Sequence, residues 1–318
     1  MIKNMTEGSP VKILLSFSMP MLFSMMFQQF YNIVDSVVAG KFIGVDALAA
    51  IGASYPITVL FIAVANGASV GAAVVVSQTF GANKLVKMKT SVLTSVIAII
   101  IVSIALTIFG TLFCSDIMRM INTPENIFAD SRLYLKVYIW GLIFLFMYNT
   151  ATAIFTGLGD SKTPLYFLIF SSLLNVALDI WFVTKFQMGI SGIAWATFLA
   201  QGLSSILATI FLFYRLKKIK VDKKVPLFNL HMLKLICKIA VPSIFQQSFV
   251  SVGQLCVQSL INSFGSAVVA GYAAAFKIHT FVIMTLATLA NASSSFVAQN
   301  IGAKKIDRVK EGYRVTIW

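Results

Sequence analysis

The chain has 318 residues, of which 58% are hydrophobic and only 11% are charged. Soluble globular domains carry about 25% charged residues, so this composition excludes a water-soluble domain and indicates a chain that folds in lipid. The three cysteines are far apart in the sequence and predict neither a disulfide framework nor a zinc site. A net charge of +14 would suit a nucleic-acid-binding protein, but the distribution of that charge indicates a different cause.

Eight apolar stretches are long enough to cross a membrane as helices, which requires about 20 residues each. Barrel strands are disfavoured, because they are about 10 residues long and alternate in polarity. We therefore predict an all-α, polytopic membrane helix bundle. In chain order the predicted spans lie at roughly 13–39, 47–80, 91–113, 131–157, 164–185, 190–214, 232–262 and 267–300, and a ninth begins near Gly312.

The basic residues orient the predicted bundle. Of the 25 Lys and Arg, 19 precede the first span or fall in every second loop, above all in the segment 215–238. The positive-inside rule places that side, and the N-terminus with it, in the cytoplasm. This predicts a multi-pass protein of the plasma or inner membrane that contacts the lipid bilayer and has no nucleic-acid partner.

The sequence also repeats itself with an offset of 221 residues. The segment Gln78 to Lys84 matches the segment Gln299 to Lys305 in its Gln, Gly, Ala and last Lys. Six spans separate the copies, so both copies have the same orientation, a pattern known in transporters. We predict a six-helix N-terminal lobe over 1–215, a cytoplasmic linker over 216–231 and a partial second lobe over 232–318. A complete second copy would need about 120 further residues, so a fragment is expected.

Two acidic side chains fall inside predicted spans, Asp35 in the first and Asp179 in the fifth. Burying a charge in lipid is costly, so such a residue indicates function by default, and an interhelical hydrogen bond is the structural alternative. A carboxylate there could bind a cation through its oxygens or take up a proton. Lys277 lies in the interior of the eighth predicted span, whereas the other basic residues within the predicted ranges lie close to span ends. It would either line a cavity or extend to the membrane surface.

Other polar residues of the first half lie near these acids in the predicted helices. Asn175 precedes Asp179 by one helical turn and shares its face. The same spacing relates Tyr31 and Asn32 to Asp35. The residues predicted to line one wet cavity, beside the two acids, are Gln28, Gln29, Tyr31, Asn32, Asn149, Thr152, Asn175 and Thr197.

In combination these motifs resemble the bacterial branch of the multidrug and toxic compound extrusion (MATE) transporters. The resemblance covers essentially the whole chain. The matching segments are Pro20, Tyr31 to Asp35, Gly157 to Pro164, Asn175 to Asp179, and Gly192 to Thr197.

The resemblance implies two six-helix lobes around a central cavity and export of cationic, amphipathic compounds in exchange for H⁺ or Na⁺ by alternating access. It assigns cation or proton coupling to Asp35, Asn175, Asp179 and Thr197. Asp35 and Asp179 would be the metal ligands if the ion is Na⁺, and no other cofactor is implied. The stretch Ser243 to Ser251 in the seventh span contains no acid, so coupling is expected to rest on the first lobe.

Other functions fit parts of the sequence less well. A flippase for lipid-linked saccharides would share the lobe plan, but its cavity would need several Lys or Arg for phosphate, and only Lys277 is available. A membrane enzyme is disfavoured because two His cannot supply a metal cluster. A channel, a receptor and an inactive transporter fragment remain open. The expected protein is a monomeric transporter, not an enzyme, and its partner is a small cationic molecule.

Overall fold

The structure is a computed structural model that describes residues 3–221, 223–262 and 266–317. Within these ranges the secondary structure is helical, with a short π-helical turn at Ala39–Ile43 between the first two helices. The helices are α1 (Pro10–Val38), α2 (Val45–Gly81), α3 (Leu85–Met120), α4 (Glu125–Trp140), α5 (Leu142–Gly157), α6 (Lys162–Thr184), α7 (Ile190–Lys218), α8 (Leu230–Asn262), α9 (Ser266–Gly302) and α10 (Ile306–Ile317).

The predicted membrane helix bundle is confirmed. In the described part of the chain, seven helices are long and apolar enough to cross a membrane. The pair α4 and α5 makes an eighth span if it is counted as one, because the predicted span 131–157 is two helices that meet at Gly141 with a bend of 47°.

Two other boundaries differ from the prediction. α10 begins at Ile306, six residues before the predicted start of a ninth span near Gly312. The first turns of α10 carry charged residues, so they do not belong to an apolar stretch, yet they are helical. α7 extends to Lys218 and α8 begins at Leu230, so the segment between these helices is 219–229.

Both copies of the sequence repeat end a helix with the same backbone turn. After α2 the turn is closed by hydrogen bonds from Ala82 N to Gln78 O, Asn83 N to Phe80 O and Lys84 N to Thr79 O, at 2.9–3.0 Å. After α9 the residues 221 positions later make the same three bonds at the same range of distances. Asn83 and Lys304 also share a positive φ, 55° and 61°. The repeat predicted from sequence is therefore also a structural repeat at these turns.

The two repeat turns touch each other. Gly81 packs directly against the backbone of Gln299, and Gly302 packs directly against the backbone of Gln78. A side chain at either glycine would overlap these backbone atoms, so small residues permit the close crossing of α2 and α9. The reciprocal contact joins α1–α7 to α8–α10 at one end of the bundle.

That end of the bundle is called here the basic face, and it comprises the turns 82–84, 158–161 and 303–305 and the segment 219–229. Hydrogen bonds join its parts. Lys89 Nζ donates to Ile219 O at 2.6 Å, and Asn229 N donates to the Thr94 hydroxyl at 3.1 Å. The helix ends that charge counting assigned to one side of the membrane therefore meet in space.

α8 packs along α2 from the middle of α2 to the basic face. An added Cβ at Gly67 would lie 2.5 Å from Ile244 Cα, and one at Gly71 would lie 2.6 Å from Ile236 O. Nearer the basic face, Val75 of α2 is buried with Met232 and Ile236 of α8. The small residues Gly67 and Gly71 of α2 thus form the seam between the repeats.

Candidate cation-coupling site

Three helices of the first lobe position the coupling residues predicted from sequence. α6 packs against both α1 and α7. Asn175 and Asp179 lie one turn apart on the buried face of α6, where they are 2% and 0% exposed. Asp35 is carried by α1 and Thr197 by α7. The structure therefore brings together the four residues that the resemblance assigned to coupling.

At the centre of this group the carboxyl groups of Asp35 and Asp179 are in hydrogen-bonding contact. Two carboxyl groups can form a hydrogen bond only if one of them holds a proton. Oδ1 of each group is buried and has no hydrogen-bond donor beside it among the described residues. A buried carboxyl oxygen without a partner is costly, so this pair is suited to a proton or a cation.

Asn175 joins α6 to α7 beside the carboxyl pair. Its amide is satisfied at both ends when the nitrogen donates to Asp179 Oδ2 at 3.1 Å and the oxygen accepts from Thr197 N at 3.1 Å. The Thr197 side chain is also hydrogen-bonded to Tyr31 of α1. Each of the three helices therefore contributes a polar group to one network. A displacement of Asp35 would change the hydrogen bonds of groups on α6 and α7.

Two tyrosines of α4 complete the site, and the sequence analysis missed them. Tyr134 is 8% exposed and interacts electrostatically with both Asp35 and Asp179. Tyr134 and Tyr138 line a small cavity with Thr197 and Gln201, which has room for about one water molecule. The spacing offered a signal, because Tyr134 and Tyr138, like Thr197 and Gln201, are one helical turn apart.

Three other predicted cavity residues, which the structure describes, are not part of this network. Gln28 is exposed on α1. On α5, the Asn149 amide donates to Leu145 O at 2.8 Å and the Thr152 hydroxyl donates to Asn149 O at 2.9 Å, both within the helix. The side chains of Asn32 and Lys277 lie outside the described residues. A role for Gln28, Asn149, Thr152 and Asn32 in a substrate cavity stays a prediction.

The donor set limits what the site can hold. Among the described residues no group of three or more His, Cys, Asp or Glu could hold a metal ion. Two carboxyl groups, an amide and hydroxyl groups are oxygen donors of the kind that hard cations prefer. Asp35, Asp179, Asn175 and Thr197 could therefore surround one monovalent cation, or the carboxyl pair could hold one proton.

The turn that leads into α6 begins the helix with a buried acid. α6 begins at Lys162. The buried Asp160 carboxylate accepts hydrogen bonds from Thr163 N at 3.1 Å and from the Thr163 hydroxyl at 2.9 Å. Burial acts to raise the pKa of Asp160, but these hydrogen bonds favour the carboxylate, and its pKa is lowered overall.

Comparison with known proteins identifies the family. The MatE family model matches residues 20–181 and 242–318. The chain belongs to the MatE family. Its members are transporters, so this protein is a multi-pass membrane transporter and not an enzyme.

Among curated relatives, the probable multidrug resistance protein YoeA of Bacillus subtilis (strain 168) is 31% identical over 309 residues, which are 95% of this chain and 67% of the relative. The multidrug export protein MepA of Staphylococcus aureus (strain NCTC 8325 / PS 47) is 22% identical over 98% of this chain and 69% of the relative. Both relatives are named for multidrug resistance or multidrug export.

Solved MatE structures share the fold. An outward-facing multidrug resistance MATE family transporter of the MOP superfamily superposes with a TM-score of 0.90 at 24% identity, over 99% of this chain and 70% of the other. A MOP superfamily transporter from Pyrococcus furiosus Vc1 gives the same TM-score, identity and coverages. The helix arrangement of this MatE chain is therefore that of known MATE transporters.

Proposed function

We propose that this MatE protein exports cationic, amphipathic compounds in exchange for H⁺ or Na⁺, with the Asp35–Asp179 pair as the coupling site. The observation that carries the proposal is the contact between these two carboxyl groups, with a buried, unpartnered oxygen on each. The two carboxyl groups are stable side by side when they share a proton or bind a cation. Without either, both groups are negatively charged and repel each other. The occupancy of the pair therefore sets the distance between α1 and α6.

α1 connects the coupling site to the other lobe. Asp35 lies in its second half, whereas Leu14 and Phe17 in its first half are buried against Ala292 and Phe296 of α9. A change in the separation of α1 and α6 would thus strain the contact between α1 and α9. A cation that binds one arrangement of these helices better than the other shifts the population between them. This is the physical requirement for alternating access.

The substrate class rests on charge and on relatives. The acids inside the spans of the described chain attract cations, and attraction is strong where water is excluded. The names of YoeA and MepA refer to multidrug resistance and multidrug export. We infer a small cationic substrate, a monomeric transporter in the cell membrane, and a basic face that lies in the cytoplasm by the positive-inside rule.

The decisive experiment is export of a fluorescent cationic dye from proteoliposomes that contain this chain, under an imposed H⁺ gradient or an imposed Na⁺ gradient. We expect Asp179→Asn to reduce gradient-driven export to the level of empty vesicles, because the amide cannot exchange a proton or balance a cation. Asp116→Asn, at an exposed acid of α3, is the matched control and should export at the unaltered rate.

The gradient that drives the unaltered protein identifies the ion. If Asp35→Asn and Asp179→Asn both retain gradient-driven export, the coupling site is elsewhere. If the unaltered chain responds to neither gradient, cation-coupled export of dyes is the wrong activity for it.

A further inference from the structure

A segment before α1 lies between the two repeats at the basic face. It comprises Lys3 to Gly8 and is called here the N-terminal strap. On the side of the first lobe, Lys3 N donates to Leu158 O at 3.2 Å. The backbone of Lys3 also packs on Gly159, where a side chain would overlap Lys3 O. The strap is therefore seated on the turn between α5 and α6.

On the other side the strap is held by residues of the second repeat. Arg308 of α10 donates to Gly8 O at 2.8 Å and to Met5 O at 3.2 Å. Asn300 of α9 donates to Met5 O at 3.3 Å, and Lys305 donates to Thr6 O at 2.9 Å. Two of these donors carry a charge, and charged donors make the stronger hydrogen bonds. The strap is thus bound more firmly to the second repeat than to the turn of the first.

The Gln299 side chain is hydrogen-bonded to both the strap and the first repeat. Its side chain is 0% exposed; its oxygen accepts from Met5 N at 2.9 Å and its nitrogen donates to Gly157 O at 2.9 Å. One buried amide of α9 therefore binds both the strap and the end of α5. It cannot keep both hydrogen bonds if α9 moves away from the first lobe, and buried amide groups left without partners are costly.

The strap also has an apolar anchor. Met5 is 1% exposed and belongs to the cluster that includes Phe17 of α1 and Phe296 of α9. The Arg308 guanidinium lies 5.7 Å from the centre of the Phe296 ring. Met5 is therefore buried at the contact between the repeats, where it excludes water from their seam.

We propose that the N-terminal strap is a latch that holds the repeats together at the basic face and must be released before the cavity between them opens there. The inference rests on the proposed alternating access and extends it to a part of the chain outside the coupling site. Release requires Gln299 to lose one of its two partners, and it exposes Met5 and Thr6. Arg308 sets the strength of the latch, because one guanidinium binds two strap carbonyls.

The test measures exposure of Thr6, which is 5% exposed in the latched structure. Thr6→Cys is made in the full chain with Cys237→Ser and Cys256→Ser, which removes the exposed thiols and leaves the buried Cys114. The rate of reaction with a membrane-impermeant maleimide is then measured in proteoliposomes with the basic face outward. Glu7→Cys, at an exposed strap position, gives the rate for an open site.

We expect Thr6→Cys to react with the maleimide at least about tenfold more slowly than Glu7→Cys. Adding Arg308→Ala should raise the labelling rate of Thr6→Cys about tenfold or more, because hydrogen bonds from a charged donor are lost. Lys310→Ala is the matched control: it removes a basic, exposed residue of α10 and should leave the rate unchanged. Arg308→Lys keeps the charge but cannot bind two carbonyls in the same way, so an intermediate rate is expected. It also provides the test if Arg308→Ala fails to fold.

The labelling does not depend on transport, so the latch and the proposed export can fail separately. If Arg308→Ala accelerates labelling while no variant exports dye, the latch stands and the export proposal falls. If the chain exports dye but Thr6→Cys reacts as fast as Glu7→Cys, or Arg308→Ala and Lys310→Ala label alike, the latch is overturned.

Discussion

At the scale of single residues, the coupling site depends on Thr197 as much as on its two acids. The Thr197 backbone amide and side chain are bonded to Asn175 and Tyr31, respectively. Its side chain therefore connects α7 to α1, and Asn175 orients Asp179 on α6. This cross-linking holds the carboxyl pair in place without adding charge to a region where charge is costly.

We expect Thr197→Val to weaken ion coupling without abolishing it. The change keeps the shape of the side chain but removes the hydroxyl, and the loss of one hydrogen bond costs about 1 kcal/mol. The ion concentration for half-maximal export should rise about fivefold to tenfold. The matched control is Thr209→Val on the same helix, where the hydroxyl bonds only to Ser205 O in the described structure. Equal effects of the two changes would show that the Thr197 hydroxyl plays no part in coupling.

At the scale of elements, the turn between α5 and α6 shows how a short motif fixes a helix end. Gly159 adopts a φ of +79°, a conformation that favours glycine, and the adjacent Asp160 accepts the hydrogen bonds that begin α6. The close packing of Lys3 on Gly159 adds a second reason for glycine at this position.

Gly159→Ala should therefore cost more stability than Gly189→Ala. Both glycines have a positive φ, so both changes strain the backbone. Gly189 has open space around it, whereas a Cβ at Gly159 overlaps Lys3. We expect thermal unfolding in detergent to show a loss about 1–3 kcal/mol larger for Gly159→Ala, because the strap must be displaced. Similar losses for the two variants would contradict this placement of the strap.

Asp160 predicts a dependence of stability on acid pH. Its pKa is lowered in the folded protein, so it contributes stability above the ordinary carboxyl value of about 4. That contribution is lost as the pH falls below this value and through the lower pKa of the folded state. Asp160→Asn should therefore be less stable than the unaltered chain at neutral pH, and the difference in melting temperature should shrink below about pH 4. A difference that is constant with pH would rule out this contribution.

At the scale of the whole molecule, the two repeats are joined by the reciprocal contact of Gly81 and Gly302 with the opposite helix. Gly81→Ala and Gly302→Ala each place a methyl group inside the backbone of the partner helix. Gly253 of α8 has no atom nearby that a methyl group would touch.

We expect the change in melting temperature to differ in sign between Gly253→Ala and the other two variants. Gly253→Ala should leave the melting temperature unchanged or raise it, since alanine is favoured over glycine in a helix by about 1 kcal/mol. Gly81→Ala and Gly302→Ala should lower it by the equivalent of about 2 kcal/mol or more and should accelerate labelling of Thr6→Cys, because the repeats are forced apart. Equal stability of all three variants would mean that the contact is not part of the stable fold.

The sequence by itself determined the class of this protein. Its composition, the lengths of its apolar stretches and the repeat of Gln78 to Lys84 are local or periodic properties, so they were visible without coordinates. Asp35 and Asp179 were found because charge is rare in a membrane span. Alignment of polar groups along one helix, as for Asn175 and Asp179, likewise follows from helical spacing.

Only the tertiary structure decided which of these residues meet. Tyr134 lies about 100 positions from Asp35 in the sequence, and its place beside the carboxyl pair follows from helix packing. The N-terminal strap has neither apolar periodicity nor charge that would distinguish it, since the groups that bind Met5 and Gly8 there are backbone carbonyls. Every residue carries such a carbonyl, so its partner is specified by packing and not by the identity of the residue.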